Sequence, residues 1–317
     1  MTALLPPVTA ANCQRETCFA PDTACVLGLQ PCPNVAVADP DGSDTEPPEG
    51  RPLPWSGLAL GRADLSAVAA LGRPHLVAVV GVANAGKTTL LAAHWLAARR
   101  GAGRFGRSFA GSYTLIGWHQ IARHLQWVPY GRGFPPHTTA PDNRTPALLH
   151  MAVSVERDVP AHVLHTDVPG EWYSEWAYDA AQAPGTAWIV EAADVFVILA
   201  DSGALAGPER GIARGDYETL AHRLESVAGG RPVVPVLTKA DVPIPAQIEA
   251  HIDDLNARLF STNTVRVSVH DHSGDPVTAP IDLATAAALA PRRVHVADDL
   301  ARSNNPFLAF RSAAGKP

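Results

Sequence analysis

The sequence predicts an α/β fold with a mostly parallel sheet and helices on both faces. Three observations carry that expectation. Uninterrupted Val-rich runs, HLVAVV (His75–Val80) and PVVPVL (Pro232–Leu237), read as strands buried on both sides. These runs alternate with segments of helical spacing, the pattern of parallel strands joined by crossover helices. HLVAVV also runs straight into a glycine-rich loop, Gly81 to Thr88, and then into a helical segment.

In chain order, the four cysteines Cys13, Cys18, Cys25 and Cys32 all fall in residues 1–37, spaced C-x4-C-x6-C-x6-C. Four thiolates so close together can close a tetrahedral Zn²⁺ site, and a segment this small needs such a staple. The spacing lacks paired C-x2-C knuckles, so free or redox-active thiols stay open as the alternative. Residues 38–56 follow as an acidic, Pro-rich linker, too poor in apolar groups to offset its ordering entropy.

The main domain runs over 57–317, including a C-terminal extension. Asp64 is placed to cap a short helix through Ala70, stopped by Gly72 and Pro74. After the strand and glycine loop, Thr89–Arg100 has helical spacing with basic residues in its last turn. Residues 101–127 read as an insertion or an enlarged switch region, with a helix near Gln120. Further strands are expected at Ala147–Glu156, Ala161–Thr166, Val195–Ala200, Pro232–Leu237 and Thr264–Val269, the first two as an antiparallel pair. Helices are expected at Trp188–Ala193, Tyr217–Val227, Ile244–Phe260 and Leu283–Ala290.

Composition narrows the function classes. The 317 residues are 46% hydrophobic and 18% charged, as in a globular protein able to bury a sizeable core. Of the net charge of −6, Asp39, Asp41, Asp44, Glu46 and Glu49 in the linker supply five negatives. Without a basic stripe, nucleic acid is not an expected partner. The start MTALLPPVTA has no basic n-region or apolar core, and the best apolar run, Ala187–Ala200, is broken by Glu191 and Asp194. A cytoplasmic protein without a membrane span is therefore expected.

Three motifs carry chemistry. Gly81-Val-Ala-Asn84-Ala85-Gly86-Lys87-Thr88 is a full G-x-x-x-x-G-K-[ST] match between a strand and a helix. Its backbone N–H groups, with Thr89 opening the helix, would cradle phosphates. Lys87 would reach the β- and γ-phosphates, and the Thr88 hydroxyl would meet Mg²⁺. Asp167-Val-Pro-Gly170 ends the strand AHVLHT; a carboxylate there holds Mg²⁺ in phosphate-loop enzymes, and the Gly170 amide can contact a γ-phosphate. Thr238-Lys239-Ala240-Asp241 follows PVVPVL and decides the base. Asp241 can accept from the N1–H and N2–H₂ edge of guanine, while adenine would leave it unpaired. The Lys239 stem can cover the ring face.

In this order the motifs resemble the translation-factor-related superclass of P-loop GTPases, over about Leu76 to Val269. The resemblance implies a Ras-like fold, a GTP/GDP cycle, switch loops and a protein effector or activator. It also implies that Ser268, in VRVSVHDH, belongs to the loop contacting guanine through backbone amides. FAGSYTLIGW (Phe109–Trp118), FPPHTT (Phe134–Thr139) and TDVPGEW (Thr166–Trp172) look like the bacterial double-GTPase group, whose members are thought to act in multi-gene systems.

Several positions leave alternatives open. Switch I needs a threonine for Mg²⁺ and the γ-phosphate; Thr138, Thr139 and Thr145 are candidates, and Thr139 is preferred. Glu171 stands where Ras-like enzymes carry a water-positioning glutamine. It is either a catalytic carboxylate or a surface residue of the switch loop. Asn84 matches the asparagine that coordinates K⁺ in potassium-dependent GTPases, or it only tolerates a tight loop. The histidines show no metal-ligand spacing, and His162, His165, His270 and His272 are expected to be structural. Trp172 and Trp176 are expected in the core. The rival readings are an ATPase, for which the guanine motif is incidental, and a non-catalytic nucleotide-binding scaffold.

Overall fold

The computed structural model describes residues 57–100, 107–126, 147–155, 159–270 and 276–290. The chain divides into two compact units, Met1–Pro52 and Leu53–Pro317, and every described residue lies in the second. Cys13, Cys18, Cys25, Cys32, the linker, Thr138, Thr139, Thr145, His272 and the extension beyond residue 290 lie outside the described residues.

A seven-stranded sheet forms the middle layer of a mixed α/β domain, consistent with the expected P-loop GTPase fold. Its strands are β1 (His75–Val80), β2 (Arg107–Gly111), β3 (Leu148–Val155), β4 (Ala161–Thr166), β5 (Val195–Asp201), β6 (Val233–Thr238) and β7 (Val265–Arg266). The spatial order is β2-β3-β4-β1-β5-β6-β7. β4, β1, β5, β6 and β7 run parallel, while β3 pairs antiparallel with both β2 and β4.

Side chains of β1 alternate between two cores. Leu76, Ala78 and Val80 face one core, with α4 (Gly170–Tyr178), α5 (Pro184–Ala192), α7 (Arg210–Ala228) and α8 (Ala246–Phe260). Val77 and Val79 face the other, with α2 (Lys87–Ala98), α3 (Leu115–Ala122) and α9 (Ala279–Leu289). A strand covered on both faces has no polar side to keep, which is why HLVAVV is continuously apolar. Two short α-helices, α1 (Leu65–Ala69) and α6 (Ser202–Ala206), are also present among the described residues.

The differences from expectation have local causes. α5, α7 and α9 start earlier than their apolar spacing alone suggests, and α5 and α9 carry a proline in the first turn, where no N–H is missed. Asp64 stands at the N-cap of α1 as expected, but its carboxylate accepts the Gly61 N–H at 2.7 Å instead of an N–H of α1. β7 is only two residues long, but bonds to the β6 side run past its end: the Val267 N–H donates to the Leu237 carbonyl, and the Val267 carbonyl accepts the Ala240 N–H, bracing the loop after β6. β2 falls within the expected insertion. RSFAG lacks strict alternation, and its strand exists through pairing with β3, which local sequence does not encode.

Histidines are placed structurally, as expected for His162 and His165. Burial holds His94 down to about 4 and His165 down to about 3, so both are neutral core rings at pH 7. Burial, with His162 and His165 nearby, likewise lowers His150 to about 3; its ring meets His162 at 2.9 Å. Trp172 and Trp176 are buried.

The inserted helix α3 lies against the entering chain. Gly117 donates to the Gly57 carbonyl at 3.1 Å, and a Cβ on Gly117 would stand 1.7 Å from the Leu58 carbonyl oxygen. Backbone cannot yield as a flexible side chain would. Gly117→Ala is therefore expected to lower stability by about 2–4 kcal/mol in denaturant unfolding. An unchanged midpoint would show that this contact is not maintained in solution.

Candidate nucleotide site

Every candidate motif among the described residues lies at the carboxyl end of a parallel strand. In open α/β sheets that edge is where crevices form, because successive loops diverge to opposite faces. β1 delivers the glycine loop, β4 delivers Asp167 to Gly170, and β6 delivers Thr238 to Asp241. Val267 and Ser268 follow β7.

The glycine loop is wound tightly. Asn84 (φ 63°) and Gly86 (φ 90°) both occupy left-handed backbone, which glycine adopts freely and asparagine tolerates. The loop conformation by itself accounts for an asparagine at 84. A side chain at Gly81 would be tight, since a Cβ would lie 3.1 Å from that of Ala85 and 3.2 Å from that of Leu199. α2 begins at Lys87, so its amino end opens on the loop, with Thr88 and Thr89 in its first turn.

Lys87 is buried and donates to the carbonyls of Gly81 and Val82, both at 3.0 Å. Burial pushes its ammonium from 10.5 down to about 8, against the opposing pull of Asp167 and Glu171. The Asp167 carboxyl is raised by burial, partly offset by the Thr88 hydroxyl, which donates to it at 2.8 Å, and by Lys87. An ammonium and a carboxylate thus share a desolvated corner and neither is fully compensated. Such a corner suits an anion beside Lys87 and a hard cation beside the oxygens of Thr88 and Asp167. Among the described residues no group of three or more His, Cys, Asp or Glu could hold a metal ion. Thr88 and Asp167 could therefore hold one only together with ligand or water oxygens.

Gly170 opens α4 and leans on the glycine loop. A Cβ there would lie 2.2 Å from the Ala83 nitrogen and 2.3 Å from the Val82 carbonyl carbon. Glu171, exposed in the first turn of α4, lines the same pocket. On the other side, the Thr238 hydroxyl shares its hydrogen between the carbonyls of Ala85 (2.9 Å) and Ala200 (3.1 Å). That contact ties the glycine loop to the motif after β6. The Ser268 hydroxyl donates to Asp241 at 2.5 Å and accepts the His270 N–H at 3.0 Å. Beyond the expected loop position, then, Ser268 also braces Asp241 through its side chain.

One cavity of about 500 Å³ joins these parts. Asn84, Gly86, Lys87, Thr88, Thr89, Gly170 and Glu171 line one portion; Thr238, Lys239, Asp241, Ser268 and His270 line another. Its size falls within the range of small-molecule sites. Gly81 and Ala85 stand behind the lining, shaping the loop. Sequence reasoning missed Asp201, whose carboxylate meets Lys239 at 2.7 Å, and His270 as a wall of the pocket. Asp201 ends an apolar strand like any capping acid, so no local signal marks its partner. No helix of the described residues is long and apolar enough to cross a membrane.

A comparison with protein-family models finds a match over residues 75–290, more than half of the chain, to the family described as Double-GTPase 2. A search of curated proteins finds no match.

The depressed Lys87 fixes two expectations. Folding lowers its pKa, so the folded state disfavours the charged form. The penalty, on the order of 3 kcal/mol, is full below pH 8 and disappears as pH rises from 8 to 10.5. Lys87→Met removes this penalty together with the hydrogen bonds to Gly81 and Val82, so the melting temperature of the ligand-free variant relative to wild type is expected to fall as pH rises from 8 to 10.5. An anion beside Lys87 restores its proton, so anion binding near pH 8.5 takes up protons and weakens as pH rises further. Calorimetry in buffers of different ionisation enthalpy reads that uptake; proton release would contradict it.

Proposed function

The chain belongs to the Double-GTPase 2 family, and from that premise we propose that it binds Mg²⁺·GTP in this cavity and hydrolyses it to GDP and phosphate. The observation that carries the reading is the joining of the two motifs. The phosphate-type loop and the Thr238–Asp241 loop line one cavity and are tied by the Thr238 hydroxyl. A carboxylate braced by Ser268 suits the N1–H and N2–H₂ edge of guanine, and an adenine would leave it unpaired.

Lys87 neutralises charge between the β- and γ-phosphates, and backbone amides of Asn84, Ala85, Gly86, Thr88 and Thr89 hold the phosphate oxygens. Thr88, Asp167 and, from switch I, Thr139 would hold Mg²⁺, which would supply further charge neutralisation. Water attacks the γ-phosphorus, the bond to the β–γ bridging oxygen breaks, and the electron pair stays on GDP. The Gly170 amide meets a γ-phosphate oxygen, and Glu171 orients the water or takes its proton. Its carboxylate also repels the γ-phosphate, so unaided turnover is slow and an activating protein speeds it. Asn84 serves the tight turn of the loop; a K⁺ site there is the alternative, which comparison of turnover in potassium and sodium tests.

At the biological level, the protein is a cytoplasmic, nucleotide-dependent switch in a bacterial multi-protein system. Its switch loops present GTP-dependent surface to a protein effector. Cys13, Cys18, Cys25 and Cys32 hold a structural Zn²⁺; freshly purified, reduced protein without stoichiometric zinc would remove that part.

Single-turnover phosphate release separates an enzyme from a scaffold. GTP, and not ATP, is expected to yield phosphate, with Lys87→Ala slower by about 100-fold or more. Glu171→Ala is expected to remove most of the remaining rate stimulation by a partner. Rapid hydrolysis by the isolated chain, abolished by Glu171→Ala, would reject the need for an activator. Binding without any hydrolysis, even with cell extract added, would leave a scaffold.

A further inference from the structure

Lys239 holds an unusual backbone for its residue type. Its φ of 54° is left-handed, a conformation that non-glycine residues seldom adopt. Its side chain is 44% exposed, so an unrestrained ammonium would swing into water. Instead the Nζ donates to Asp201 Oδ2 at 2.7 Å. Asp201 is buried, and its two carboxylate oxygens are divided. Oδ1 accepts the Gly203 N–H at 2.8 Å, which caps α6, and Oδ2 faces Lys239.

Gly203 completes the arrangement from below. A Cβ there would lie 3.1 Å from Asp201 Oδ1 and 3.6 Å from the Lys239 Cδ, so the lysine stem passes over the amino end of α6 in van der Waals reach. The head of Lys239 is drawn to Asp201 at the end of β5, and Lys239 also lines the cavity. A flat ring needs an apolar wall fixed before it arrives. A flexible lysine would have to be ordered at the moment of binding, which weakens affinity.

We propose that Asp201 is a positioning residue for base recognition: through the Asp201–Lys239 ion pair over Gly203, it holds the Lys239 stem as the apolar wall for a guanine ring. The inference rests on the guanine reading above. Asp201 touches no ligand itself, and it acts only through Lys239.

A double-mutant cycle on ligand affinity tests it, with GDP and inorganic pyrophosphate as probes. Asp201→Asn retains an acceptor for the Gly203 N–H and removes the charge that holds Lys239. It is expected to weaken GDP binding roughly tenfold, mainly through faster dissociation. Pyrophosphate, which has no base, is expected to bind equally well to both. In the Lys239→Met background, Asp201→Asn is expected to change nothing further. Asp201→Glu is expected to recover part of the GDP affinity.

A GDP loss that persists in the Lys239→Met background, or an equal loss for pyrophosphate, would overturn the proposal in favour of a structural role. Unchanged GDP affinity in Asp201→Asn would also overturn it, while leaving the guanine reading intact. Wild-type protein that binds pyrophosphate and not GDP would overturn both.

Discussion

The central constraint is the burial of opposite charges at the carboxyl ends of the inner strands. Lys87 and Asp167 sit where β1 and β4 end, in a corner too dry to solvate either well. Burial lowers the one pKa and raises the other. A fold keeps such a corner only when its neighbours overdetermine it. Here they do so with backbone carbonyls of Gly81 and Val82, the Thr88 hydroxyl, and a glycine at 170 whose missing side chain lets α4 close on the loop. The unspent interaction of these groups is what a polyphosphate and its cation would take up.

The sheet makes that corner rigid. β1 is flanked by β4 and β5 and covered by helices on both sides, so its carboxyl end cannot shift without disturbing both cores. The Thr238 hydroxyl then links the glycine loop to β5 and β6. Ser268 carries the linkage on to Asp241, and Asp201 to Lys239. The walls formed by the glycine loop and by the Thr238–Asp241 loop are thus parts of one hydrogen-bonded frame.

Legibility in the sequence followed the range of the interactions. The glycine loop, Asp167–Gly170 and Thr238–Asp241 are contiguous motifs, and their strands are apolar enough to be read alone. The family match over residues 75–290 agrees with the resemblance carried by those motifs. Asp201 was not legible, because its partner is 38 residues away. The same holds for β2, which exists through pairing with β3, and for Gly117, whose neighbour is backbone about sixty residues earlier. Asp64 shows the opposite error: a sequence-adjacent cap was expected, and a different adjacent N–H won. For Thr139 and the four cysteines, sequence remains the only guide.

The central claim is that this cavity selects guanine over adenine through Asp241. Competition of GDP and ADP for the wild-type protein, measured against a fluorescent guanine nucleotide in Mg²⁺, tests it most directly. The account predicts that GDP displaces the probe at least about 100-fold more effectively than ADP, and that Asp241→Ala erases the difference. Equal displacement by ADP and GDP in the wild type would contradict it.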